Sequence, residues 1–238
     1  MKAIIMQSPS SLNEMKTLRR ILAIVCASLK ATALPMAVLW GVSALAVAAY
    51  YTCPPFAKAL DPLLKWQKES GWIAAALNRL FFYGLLPGVF QWTIPSLRPR
   101  RLLLTIFAQG TWCALFGVAV DFFYHLLTFL FGDGRDFATL AAKTFMNQFV
   151  WTTFVLAPAN AVFYFWVARD FSARRFREEW PEEYVTRTIL PNLLTNWCVW
   201  IPVNFAVFAF PLPLQVQLSG VVGAFWTLMC LQLGARSK

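Results

Sequence analysis

TILPNLLTNWCVWIPVNFAVFAFPLPLQVQLSGVVGAFWTLMCLQLGA, residues 188–235, is a run of 48 residues without a single Asp, Glu, Lys or Arg. A helix rises about 1.5 Å per residue and the hydrocarbon core of a bilayer is about 30 Å thick, so roughly 20 residues make one crossing. As one helix the run would be about 72 Å long, too long for a single crossing. It must fold back. Pro211 and Pro213 mark the turn, because proline lacks the N–H that continues the helical ladder.

Working outward, the chain repeats this pattern. Residues 31–57 form an uncharged stretch of 27, 80–97 one of 18, 102–120 one of 19, and 144–168 one of 25. After Asp121 the third of these resumes from 122 to 132. With the two halves of 188–235 the total is six candidate spans. The expected fold is therefore an all-α, multi-span transmembrane helix bundle, with about four spans if some segments are re-entrant or interfacial. The domain reading is a basic N-terminal segment, 1–30, followed by one integral membrane domain, 31–235.

Composition agrees. Of 238 residues, 59% are apolar and 13% charged. That charge fraction is about half that of an ordinary soluble domain. This excludes a soluble enzyme, a disordered chain and a disulfide scaffold. The net charge of +10 comes from basic residues lying between apolar runs. The partner it implies is the anionic headgroup layer of a bilayer and not nucleic acid.

The weakest span is 80–97, which is short and carries Pro87, Gln91 and Pro95. Charge decides it. With six crossings the side holding the N-terminus collects 15 Lys and Arg and the other side 6; with five crossings the balance is 7 against 14. The bias of basic loops toward the cytoplasmic side selects six crossings and a cytoplasmic N-terminus. The first 30 residues hold Lys2, Lys16, Arg19, Arg20 and Lys30 against Glu14. A cleaved signal peptide and a mitochondrial presequence are alternatives. Lys30 interrupts a signal-peptide pattern, and a basic helix beside the first span is the preferred reading.

Between spans four and five, 169–187 carries five Arg against five acids. Phe176, Trp180 and Tyr184 recur at four-residue spacing, which predicts one face of an interfacial helix, interrupted by Pro181. The segment is also a candidate docking surface for a protein partner. The cysteines, Cys26, Cys53, Cys113, Cys198 and Cys230, lie in apolar surroundings and read as small buried hydrophobes. The 11 tryptophans read as interfacial anchors.

Asp121 and His125 are the only acid and the only histidine inside an apolar run, and at i and i+4 they share a helix face. They line a polar path, or the span ends at Val120 and both sit in the headgroup layer. Asn147 and Gln148 open the fourth span, and Asn160, Asn196, Asn204, Gln215 and Gln217 place amides in later ones. Amides serve as interhelical glue or as the lining of a wet channel. The candidate lining is Asp121, His125, Asn147, Gln148 and Asn204. Gly84 and Gly88 form a G-x-x-x-G that permits close helix approach. No nucleophile elbow, phosphate loop, paired carboxylates or Cys/His metal spacing is present. The reading is non-enzymatic, with no cofactor and no metal.

The stretch from Asn196 to Pro211, N-W-C-V-W-I-P-V-N-F-A-V-F-A-F-P, followed by Trp226, resembles the C-terminal signature of the Mpv-seventeen / peroxisomal membrane protein (twenty-two kilodalton) family. Asn196, Trp197, Trp200, Pro202, Asn204, Phe208, Pro211 and Trp226 match in kind. Upstream, 143–148 resembles the family's K-x-x-x-D-Q, with Asn147 for the Asp, and 117–124 resembles G-P-x-x-H-x-W-Y. Gln215 stands where the family has Arg. The resemblance covers about 100–235 and suggests a divergent, bacterial-type branch. It implies a small α-helical membrane protein of the bacterial inner membrane or a mitochondrial or peroxisomal-type membrane. It also implies channel-like permeability to small solutes, with no settled substrate. A structural or scaffolding membrane protein, with the amides as glue, is the alternative, and a homo-oligomer fits either.

Overall fold

The structure, a computed structural model, describes residues 9–181 and 184–236, with side chains over 18–181, 184–185 and 188–228. Part of the basic segment, residues 1–8, lies outside the described residues, as does the side chain of Cys230. The described chain is helical, with no strand among the described residues. The helices are α1 (Pro9–Thr52), α2 (Pro54–Ser70), α3 (Trp72–Thr93), α4 (Leu102–Phe131), α5 (Phe137–Val167), α6 (Ala173–Glu178), α7 (Leu190–Ala209) and α8 (Leu212–Arg236). Five of these are long and apolar enough to cross a bilayer: α1 over Leu18–Thr52, then α3, α4, α5 and α7. Helix α8 is apolar over Leu212–Leu228. All six expected segments are helical, and the turn between α7 and α8 falls at Phe210 and Pro211.

The distribution of side chains is that of a bundle solvated by lipid. Phe129 is 85% exposed and Leu103 81%, whereas Lys143 and Asn204 are 1% exposed. Water would favour the reverse. A bilayer forces polar groups inward, where partners exist, and leaves apolar side chains outside. The chain is an integral membrane protein.

Contacts give the direction of each helix. Trp40 Nε1 donates to the Val199 carbonyl at 3.0 Å and the Tyr51 hydroxyl to that of Ala209 at 2.6 Å, so α1 and α7 run parallel. Asn78 meets Gln217 and Tyr83 meets Ser219, so α3 and α8 run parallel. Trp112 bonds Asn160 while Lys143 bonds Thr128, so α4 and α5 are antiparallel. Gln148 meets Asn196 while Phe137 packs on Phe205, so α5 and α7 are antiparallel. These pairings are those of a chain that crosses six times, with α2 and residues 132–136 on the side opposite the N-terminus. A central apolar cluster of Ala75, Val120, Tyr124, Leu127, Val203, Val207, Phe208 and Val216 joins α3, α4, α7 and α8. Met36 and Leu39 fasten α1 onto Val199.

Three sequence expectations are corrected. Spans drawn at charged residues were too short. Helix α3 starts at Trp72, not Leu80, and α5 at Phe137, not Thr144. Arg79 and Lys143 therefore lie inside the bundle, where Lys143 Nζ donates to Thr128 Oγ1 at 3.2 Å. In place of one interfacial helix, the described residues of 169–187 form a six-residue helix, Ala173–Glu178, and the start of a wider turn at Val185. The three spaced aromatics still converge, packing on one another and on Phe165. Of the four cysteines whose side chains are described, Cys113 is buried and Cys26, Cys53 and Cys198 are exposed on the bundle surface.

Three stretches are wound more widely than an α-helix, as π-helix: Leu80–Leu85, Met146–Leu156 and Val185–Ile189. Each ends two residues before a proline, namely Pro87, Pro158 and Pro191. A proline inside a helix has no N–H to donate and its ring presses on the carbonyl four residues back. Widening the preceding turn relieves that contact and re-pairs the freed carbonyls. Pro35 and Pro202 lie within α-helices that stay unwidened.

Candidate functional site

A cavity of about 480 Å³ runs between α3, α4, α5, α7 and α8. Helix α3 contributes Arg79, Tyr83, Pro87 and Gln91; α7 contributes Asn196, Trp200 and Asn204. Helix α5 contributes a stripe in steps of four or five, from Asn147 and Gln148 through Trp151, Thr152, Leu156 and Asn160 to Tyr164. Gln109, Trp112, Phe116, Val120 and Tyr124 come from α4, and Trp226 and Thr227 from α8.

The widened turns explain how such stripes stay aligned. In an α-helix four residues turn through about 400°, so three successive four-residue steps drift by roughly 120° around the axis. The wide turns at Leu80–Leu85 and Met146–Leu156 take up that surplus. Arg79, Tyr83, Pro87 and Gln91 consequently face one space. From Arg79 to Gln91 the cavity extends roughly 18 Å along the helix, more than half the hydrocarbon thickness.

Two kinds of polar group face this space. Some are tied. Asn196 Nδ2 donates to Gln148 Oε1 at 3.2 Å, Trp197 Nε1 donates to the Gln148 carbonyl at 3.2 Å, and Trp112 Nε1 donates to Asn160 Oδ1 at 2.8 Å. Others are buried without a partner in the protein: Arg79 Nε, Gln91 Oε1, Trp151 Nε1, and both Nδ2 and Oδ1 of Asn204. Buried polar groups in folded proteins are nearly always bonded. These five atoms belong to residues of the cavity wall and are themselves covered by protein.

Beside the cavity runs a chain of hydrogen bonds whose members do not line it. Asn78 Nδ2 donates to Gln217 Oε1 at 2.7 Å, Gln217 Nε2 to Gln67 Oε1 at 2.5 Å, and Gln67 Nε2 to Asp121 Oδ1 at 3.0 Å. Helix α2 thus tucks one amide under the bundle rim.

The sequence-predicted residues divide accordingly. Asn147, Gln148 and Asn204 line the cavity. Asp121 is buried in the chain of amides, outside the lining. His125 presents an exposed side chain on the outer surface, its Nδ1 2.8 Å from the Asp121 carbonyl oxygen. Of the signature residues, Asn196, Trp200 and Trp226 line the cavity. Trp197 braces Gln148, Phe208 packs on Tyr124, Pro202 is exposed, and Pro211 opens the turn into α8. Sequence reading missed Arg79, Gln91 and Gln109. It also assigned Trp112, Trp151, Trp200 and Trp226 to the membrane interface, although they form cavity wall. The signal was there in the four-residue spacing that ends at Pro87. Among the described residues no three His, Cys, Asp or Glu converge to hold a metal.

No curated protein and no solved structure matches the chain. The model of the Mpv17 / PMP22 family matches residues 177–230 and does not extend over the upstream resemblances at 117–124 and 143–148. The C-terminal part of this integral membrane protein, which brings Asn196, Trp200, Asn204 and Trp226 to the cavity, carries the sequence pattern of the Mpv17 / PMP22 family.

Proposed function

We propose that the protein is a small channel or permeability protein for small polar solutes, with the cavity as its solute path. The observation that carries this reading is the concentration of polar side chains, Arg79, Gln91, Gln109, Asn147, Gln148 and Asn204 among them, around one cavity inside the bundle. A bundle held only by packing has no use for them, since each unsatisfied buried group costs about 1–3 kcal/mol. The chain acts without covalent catalysis, and the excess of Lys and Arg in the near-side loops supports a cytoplasmic N-terminus.

The amides of Gln148 and Asn160, tied between helices, favour a second reading in which the protein is a structural scaffold, with 169–187 as its docking surface. Asn204→Leu separates the two. The full chain is reconstituted in planar bilayers and in solute-loaded vesicles, and its melting is followed in detergent. Discrete openings in the wild type, with flux falling severalfold in the variant while stability rises by about 1 kcal/mol, support the solute path. Openings unaffected by Asn204→Leu move the path away from the cavity. A folded wild type without openings leaves the scaffold.

A further inference from the structure

Arg79 is the single charged residue on the cavity wall. It lies at mid-bundle: a Cβ placed on Gly117, halfway along α4, would come within 2.9 Å of the Arg79 Cγ. A guanidinium at that depth is costly to hold unless something answers its charge. No acid of the described protein does so. Arg79 makes no ion pair among the described residues. Asp121, the acid of the described spans, is taken by Gln67 at 3.0 Å. Arg79 Nη2 donates to Ser219 Oγ at 2.8 Å, its plane lies 4.6 Å from the Tyr83 ring centre, and Nε has no partner. Nε is covered by protein, and the hydrogens of Nη1 with the second one of Nη2 form a planar fork that fits a carboxylate two-pronged.

We propose that the cavity is a binding site for a small organic monocarboxylate, with Arg79 as its counter-charge. This deepens the solute-path reading and rests on it. One positive charge answers one negative charge. A dianion or polyphosphate would leave negative charge uncompensated in a low-dielectric interior, which opposes it strongly. The remaining wall suits the rest of such a ligand. Trp112, Trp151 and Trp200 suit an apolar body, and Asn147 and Gln109 suit a polar substituent. The volume of about 480 Å³ is in the range of small-molecule sites.

The test uses the full chain in vesicles and reads quenching of the cavity tryptophans by benzoate, by its neutral counterpart benzamide and by the dianion phthalate. Protein-free vesicles correct for partitioning. Wild type is expected to bind benzoate at least tenfold more tightly than either of the others. Arg79→Gln should remove that preference, and Arg79→Lys should restore part of it. Equal binding of benzoate and benzamide to the wild type overturns the proposal without recourse to any variant. So does unchanged benzoate binding in a folded Arg79→Gln, or tighter binding of phthalate. Benzoate selectivity in a protein that passes no solute keeps the site and removes the channel. Solute flux without benzoate selectivity keeps the channel and removes the anion.

Discussion

Single residues decide how closely the helices approach. A Cβ on Gly84 would stand 2.6 Å from the Cα of Gly110, backbone that no rotamer change can move. Gly84→Val is expected to destabilise the protein by about 2 kcal/mol, as overpacking does. Gly41 has nothing within 4 Å of its would-be Cβ, so Gly41→Ala should be neutral or stabilising by about 0.5–1 kcal/mol. Thermal melts in detergent compare the two, and equal effects would contradict the close α3–α4 contact. At this scale the sequence was partly readable. Asn196, Trp200 and Asn204 are four apart in an uncharged run, so a shared polar face could be expected. Arg79 could not be placed, because a charge beside an apolar run reads as its edge, and only three-dimensional packing against Gly117 and Ser219 puts it inside.

At the scale of elements, run length was enough to find every span, since the bilayer sets a minimum that chance rarely meets. The ends were less readable. Helix α5 is started by Asp136, whose carboxylate accepts from the Thr139 amide at 3.0 Å and from the Thr139 hydroxyl at 2.7 Å. The side-chain bond from Thr139, then the backbone one, holds the Asp136 carboxyl below its usual range. A depressed folded value means that the cap's contribution is complete above the ordinary carboxylate range and fades as pH falls through the folded value. Amide protection at residues 137–140, taken as exchange relative to the unfolded-chain rate at the same pH, should therefore fall on going from about pH 7 to pH 3. In Asp136→Asn it should already be lower at neutral pH and change less. Protection that ignores pH in the wild type would remove this cap from the account. Four-residue spacing was enough to put the aromatic trio of 169–187 on a common face, yet the helix beneath its first member stops at Glu178, ahead of Pro181.

For the molecule as a whole, the helix directions fit six crossings, five on helices long and apolar enough to span and the sixth on the shorter apolar stretch of α8. In a chain freed of its own cysteines, Arg100→Cys and Arg174→Cys are expected to react with an impermeant maleimide from one face of sealed vesicles, and Lys58→Cys and Asp133→Cys from the other. Labelling of Arg100→Cys and Asp133→Cys from the same face would break the topology. The fold class follows from the charge pattern, and the C-terminal signature leads to the half of the cavity built by α7 and α8. The other half depends on where the wide turns set α3 and α5. Those turns also decide where length is under constraint. Removing one residue from 80–85 and closing the ladder at ordinary α spacing leaves eleven steps from Arg79 to Gln91, about 1100°, within about 20° of three full turns. Arg79 would then keep its face, whereas a deletion in the ordinary α-helical part of α3, at 86–90, would swing it by about 100° away from Gln91. The wide turn is thus the one stretch of α3 with slack in its residue count.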